Sequence, residues 1–169
     1  MADTPALIRH LLELAAREDR GALAALRRGL GKPPGSVAET YPHVTPYIPH
    51  SDNTTDRDWP YYLVGSLFAL HPEGGAKGDL GWTCRQLGEH PSAEARFKAL
   101  LSAHAHDVPG HLRQIVSLAR SAPRRTPVDW ESLLLHLRHW THPDSWVQRR
   151  WARSYWSPSV SDSSTSENT

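Results

Sequence analysis

The sequence predicts an all-α protein, a helical bundle of about eight to nine helices. Three observations carry that prediction. Apolar residues recur at steps of three and four through most of the 169-residue chain. Asp, Ser and Thr stand before these runs and Gly or Pro after them, as helix starts and stops require. No stretch alternates apolar and polar residues with the period of two that a half-buried strand needs.

Thr4 and Pro5 open a first helix carrying Leu7, Ile8, Leu11 and Leu14, a cap followed by proline at the first helical position. Asp19 starts a second, with Leu23, Leu26 and Leu30 on one stripe and Gly29 or Gly31 ending it. Ser36 and Glu39 have the spacing of a capping box, which predicts a short helical turn before the proline-interrupted stretch from Pro42 to Pro49. Asp58 caps a helix bearing Leu63, Leu67 and Leu70. After a Pro/Gly loop from His71 to Gly78, Asp79 caps a helix through Leu87. Ser92 opens a helix with Phe97, Leu100 and Leu101, and residues 107–121 place Leu112, Ile115, Val116 and Ala119 on one face. Asp129 opens a helix with Trp130, Leu133, Leu134 and Leu137; Pro143 and Asp144 open the last one.

A division near Gly88 to Pro91 separates an N-terminal helical subdomain, residues 1–88, from a C-terminal one, residues 89–156, with basic faces. One continuous bundle is the alternative. Residues 157–169 are rich in Ser and Thr, have almost nothing to bury, and are expected to form a disordered tail.

A net charge of +1 excludes a polybasic protein, so any affinity for nucleic acid must come from where the charge sits. From Glu39 to Asp79 there are six acids and two bases; from Arg96 to Trp156 there are ten bases and four acids. That asymmetry suggests one anion-facing side. The single cysteine, Cys84, excludes an internal disulfide and fits a reducing compartment. The N-terminus lacks a signal-peptide pattern and no apolar run matches a bilayer span, so a soluble, cytoplasmic protein is expected.

Residues 146–156 say most about function. The segment holds three arginines, four large aromatics and no acid. Wound at about 100° per residue, it places Arg149, Arg153 and Arg150 on one wedge with Trp146 between them. Val147, Trp151 and Tyr155 form the opposite, apolar face. Guanidinium groups so crowded repel one another unless an anion arrives, and their fixed fork of donors matches phosphate oxygens. Trp146 and Trp156, beside the wedge, could stack on a base or pack against protein; Trp130, Trp140 and Trp151 lie on apolar stripes and are expected in the core.

Other bases fall on shared faces. Arg113 and Arg120 are seven residues apart on one helix, Arg124 and Arg125 follow in the adjoining loop, and Arg27, Arg28 and Lys32 end the second helix. For any one pair the simpler reading is a solvated face. His136, His139 and His142 are spaced by threes, and His106 adjoins Asp107, yet no acid or cysteine sits in register to complete a metal site. The loop Gly29–Pro33 is too short for a phosphate-binding loop and lacks the Ser or Thr after Lys32. Cys84, on an apolar helix, is expected in the core. No catalytic residue, metal or cofactor is expected.

The order of segments resembles the CasB family, the small subunit of the type I-E CRISPR surveillance complex Cascade. The likeness is carried by Leu26–Gly35, Leu67–Pro72, Ala95–Leu101, His111–Val116, Val128–Trp130 with Leu133–Leu135, and Val147–Arg153, over nearly the whole chain outside the tail. The resemblance implies an all-helical, non-catalytic protein present as two copies within the complex. It implies contact with other Cascade subunits, support of guide RNA and target DNA, and a hold on the displaced strand of the R-loop; no membrane is involved. The residues matching the family's basic surface are Arg27, Arg28, Arg113, Arg120, Arg149, Arg150 and Arg153. Two rival readings stand beside it: an adaptor whose arginines meet acidic proteins, and a metal-dependent phosphohydrolase using the His106–Asp107 pair.

Overall fold

The computed structural model describes residues 3–157; the expected tail lies, beyond Ser157, outside the described residues. Among the described residues there are nine α-helices and no strand. They are α1 (Ala6–Ala16), α2 (Arg20–Arg27), α3 (Tyr41–Val44), α4 (Trp59–Leu70), α5 (Leu80–Gln86), α6 (Ala93–Leu101), α7 (Val108–Ser121), α8 (Trp130–Leu137) and α9 (Trp146–Trp156). Short 3₁₀ turns flank α3.

Helix α4 is the centre. Residues 60–69 are all buried, because α4 is apolar on every side and a helix of that kind must be enclosed. Helices α1, α2 and α3 pack on it from the N-terminal half, and α7 and α8 from the C-terminal half. The edge of Trp130 meets the ring of Phe68, 5.6 Å between centroids at 71°. The buried side chains form one cluster running from Leu7 and Leu26 to Leu112 and Trp151. Trp130, Trp140 and Trp151 all belong to it, as does Cys84. Burial pushes the Cys84 thiol far above its ordinary range, and the Asp79 carboxylate adds to the effect.

Three of the expected caps form as the chemistry predicts. Asp19, Asp79 and Asp129 each accept the backbone N–H three residues on, from Ala22 at 3.0 Å, Trp82 at 3.1 Å and Ser132 at 3.0 Å. Four expectations are corrected. Thr4 does not cap α1, whose N-cap is Pro5, and gives its hydroxyl to Glu131 at 3.3 Å instead; Asp58 stands at the N-cap of α4 but its side chain makes no capping hydrogen bond. Ser36 and Glu39 do not form a capping box: the Ser36 hydroxyl donates to the Pro33 carbonyl at 2.6 Å, while Glu39 turns to Arg28. The Pro-Pro-Gly turn offers Ser36 a nearer acceptor, and only a 3₁₀ turn, Ala38–Thr40, follows. The last helix begins at Trp146, not at Pro143 and Asp144, because Ser145 adopts the left-handed conformation at φ 48° and closes a turn first.

Helix α9 is laid closely on α5. A Cβ placed on Gly81 would collide with the carbonyl oxygen of Trp151 and lie 2.8 Å from the carbonyl carbon, so only glycine permits this approach. Trp151 is then fixed at its other end, where its indole N–H donates to Nδ1 of His136 on α8 at 2.9 Å. A second tie joins distant elements around Asp52. Its carboxylate accepts from the Tyr61 hydroxyl on α4 at 2.6 Å and pairs with Arg138, just past α8, at 2.7 Å.

Candidate nucleic-acid interface

The predicted basic residues fall into two groups. The first forms where α7 meets the loop after α2. Gly31 takes a left-handed φ of 76°, and the Arg113 guanidinium lies over it, so close that a Cβ there would be 2.6 Å from Nη1. Arg113 is thereby set beside Lys32. Arg27 is exposed and donates to the Ala69 carbonyl at the end of α4 at 3.4 Å. Arg28 reaches Glu39 at 3.5 Å. Arg120 is exposed roughly 10 Å along α7 from Arg113, given the helical rise. Beyond it, Arg124 is exposed and Arg125 pairs with Glu73.

The second group is on α9. Val147 and Trp151 are fully buried and Tyr155 stacks on Phe97 at 4.8 Å, so the expected apolar face is the buried one. Arg149, Arg150 and Arg153 project from the opposite side and are exposed. Arg149 donates to the Asp144 carbonyl at 2.8 Å. The wedge is not free of carboxylate, as the segment alone suggested. Asp79 arrives from the start of α5 and places Oδ2 3.7 Å from Arg150 Nε. The same oxygen accepts the Ser154 hydroxyl at 2.6 Å. Asp79 was legible only as a cap; its second tie depends on α5 meeting α9. Arg149 and Arg153 have no carboxylate within 4.0 Å among the described residues.

Three of the eleven predicted contact residues therefore carry a carboxylate partner: Arg28, Arg125 and Arg150. Arg28 with Glu39 is an open surface pair, and such pairs contribute little. Packing joins Arg113 to the α2 loop and Arg150 to α5. Among the described residues no ion pair or hydrogen bond links the two groups.

Trp146 is half-buried, with the rings of His136 and His139 at 5.7 and 5.5 Å. Trp156 is 45% exposed and leans on Phe97 and Tyr155. The histidine spacing has a structural outcome: His136 is buried as the acceptor for Trp151, His139 packs on Trp146, and His142 faces Asp144. His106 and Asp107 pair at 3.3 Å on the surface. Among the described residues, no group of three or more His, Cys, Asp or Glu side chains converges to hold a metal ion. No described helix is long and apolar enough to cross a membrane.

Fold and site together define a class: an all-helical protein with arginine-bearing faces on two of its packing units. The family model described as CRISPR-associated protein Cse2 matches residues 22–156. The CRISPR-associated protein Cse2 of Thermus thermophilus is 34% identical over 145 residues, 83% of this chain and 82% of its own. The crystal structure of CasB from Thermus thermophilus superposes with a TM-score of 0.79 at 30% identity, covering 92% of this chain and 99% of that one. A chain of a CRISPR RNA-guided surveillance complex gives 0.70 at 26% identity, over 89% of each. The chain belongs to the CRISPR-associated Cse2 family, also called CasB.

Proposed function

We propose that this chain is a non-catalytic scaffold subunit of a CRISPR Cascade effector complex. It tracks the phosphate backbones of guide RNA and target DNA and steadies the displaced strand of the R-loop. The observation that carries the reading is the outer face of α9, where Arg149 and Arg153 stand exposed with no carboxylate within 4.0 Å among the described residues. The Lys32–Arg113 group, with Arg27 on α2 and Arg120 on α7, supplies a second anchor for phosphate, and Arg124 extends it. The likeness to a surveillance-complex chain supports the setting. In such an assembly base pairing reads the sequence, and the protein needs only to follow charge and shape. Other Cascade subunits and a second copy of this chain are the protein partners.

The test is R-loop lifetime in the reconstituted complex over a range of salt. Arg149→Ala with Arg153→Ala is expected to shorten that lifetime and to lower the salt slope by about one unit for each phosphate no longer neutralised. A reading as an adaptor for acidic proteins has one observation in its favour: Arg28, Arg125 and Arg150 already face carboxylates. An unchanged lifetime and salt slope, with weakened assembly of the complex, would decide for it.

A further inference from the structure

We propose that the cleft between α8 and α9 seats one unpaired nucleobase, stacked on Trp146, with the adjoining phosphate held by Arg150 and Lys77. This rests on the nucleic-acid reading above and names a subsite within it. The cleft holds about 440 Å³, within the range of small-ligand sites. Its floor is aromatic and apolar: the half-buried Trp146 ring, the His139 imidazole beside it at 5.5 Å, and the exposed Leu135. Lys77 and Arg150 also line the cleft and supply its positive charge. Lys77 has no carboxylate within 4.0 Å among the described residues. Arg150 places Nε 3.7 Å from the buried carboxylate of Asp79, and its two terminal nitrogens have no hydrogen-bond partner among the described residues. Asp79 cannot swing away, because Trp82 and Ser154 hold its two oxygens.

Two acids also line the cleft, Asp129 and Glu131, and both are engaged within the protein: the Glu131 carboxylate accepts the Thr4 hydroxyl at 3.3 Å. Both oxygens of Asp129 accept backbone N–H groups, from Ser132 and from Gly78. A flat ring beside two cations is the pattern of single-strand binding, in which the base stacks and the phosphate is neutralised. A purely apolar partner would leave Lys77 without a counter-charge, and this favours the nucleotide.

The test uses the full chain and two single-stranded DNA oligonucleotides at low salt. One carries a single 2-aminopurine in a run of thymidines; the other carries an abasic residue at the same place. The intact protein is expected to quench the 2-aminopurine and to bind that strand several-fold more tightly than the abasic one. Trp146→Ala abolishes both the quenching and the preference, whereas Trp146→Phe keeps most of each, and a melting curve checks that both variants fold. Arg150→Ala, which takes away the proposed phosphate contact, weakens binding to both strands and shallows the salt slope. Arg149→Ala weakens binding to both strands without altering the preference. Salt-sensitive binding with equal affinity for the two strands sinks the base site and leaves the broader reading standing. Absence of salt-sensitive binding to either strand sinks both. Unchanged DNA binding by Trp146→Ala, with weakened assembly of the reconstituted complex, shows that the cleft holds a protein side chain and overturns the proposal.

Discussion

His136 accepts the indole N–H of Trp151 through Nδ1, and only the neutral imidazole can do so. Burial, and secondarily the charge of Arg150, hold its pKa below the ordinary histidine value. The unfolded chain therefore binds more protons than the native one between that lowered pKa and about 6.5. The stabilisation is complete above about pH 6.5 and is lost as pH falls through the window. The melting temperature is expected to drop between pH 7 and pH 5.5, and His136→Gln should flatten that drop while costing about 1 kcal/mol at pH 7. Calorimetry across pH checks both. At Asp52 burial alone would raise the carboxyl pKa, but the Tyr61 hydroxyl and Arg138 outweigh it and hold the value below the usual range. Its contribution is present above about pH 4 and disappears in stronger acid. Neither partnership was legible in the sequence. A tryptophan on an apolar stripe reads as core, but the acceptor for its N–H comes from another helix.

Helices were legible where their signals are local. Asp19, Asp79 and Asp129 cap as expected because the bond spans three residues and needs no distant partner. Ser36 and Pro143–Asp144 misled because nearby turns captured the same groups. Helix α4 showed a stripe of Leu63, Leu67 and Leu70, whereas the structure buries residues 60–69 and leaves Leu70 only partly covered. A helix with apolar groups on all sides has no polar face to set its period against. The α5–α9 crossing depends on Gly81, and nothing in the local sequence marks that glycine. Gly81→Ala forces a side chain against the Trp151 carbonyl, an overpacking cost of about 3 kcal/mol. Thermal unfolding should show a melting temperature lower by about 10 °C. The same substitution should impair complex function indirectly, by displacing α9 and its arginines together. Arg149→Ala, which removes nothing from the core, should impair function without changing the melting temperature.

Across the whole molecule, a net charge of +1 sets modest expectations for the isolated chain. It should bind single-stranded DNA with a dissociation constant of roughly micromolar or weaker near physiological salt. Within the assembled complex, tethering should raise the effective concentration and make the proposed contact durable. Filter binding at several salt concentrations, free and assembled, checks the contrast; nanomolar, salt-insensitive binding by the free chain would contradict it. The sequence singled out candidate bases but not how they group, because grouping is decided by which helices touch. Arg113 reaches Lys32 across a glycine, and Arg150 reaches α5, through packing alone. The enclosure of Cys84 also has a practical side. As the chain's sole thiol, protonated and out of reach of reagents, it leaves the surface chemically silent toward maleimides. Single cysteines introduced along the outer side of α9 could then carry fluorophores in the otherwise native protein, and report from that helix alone as an R-loop opens.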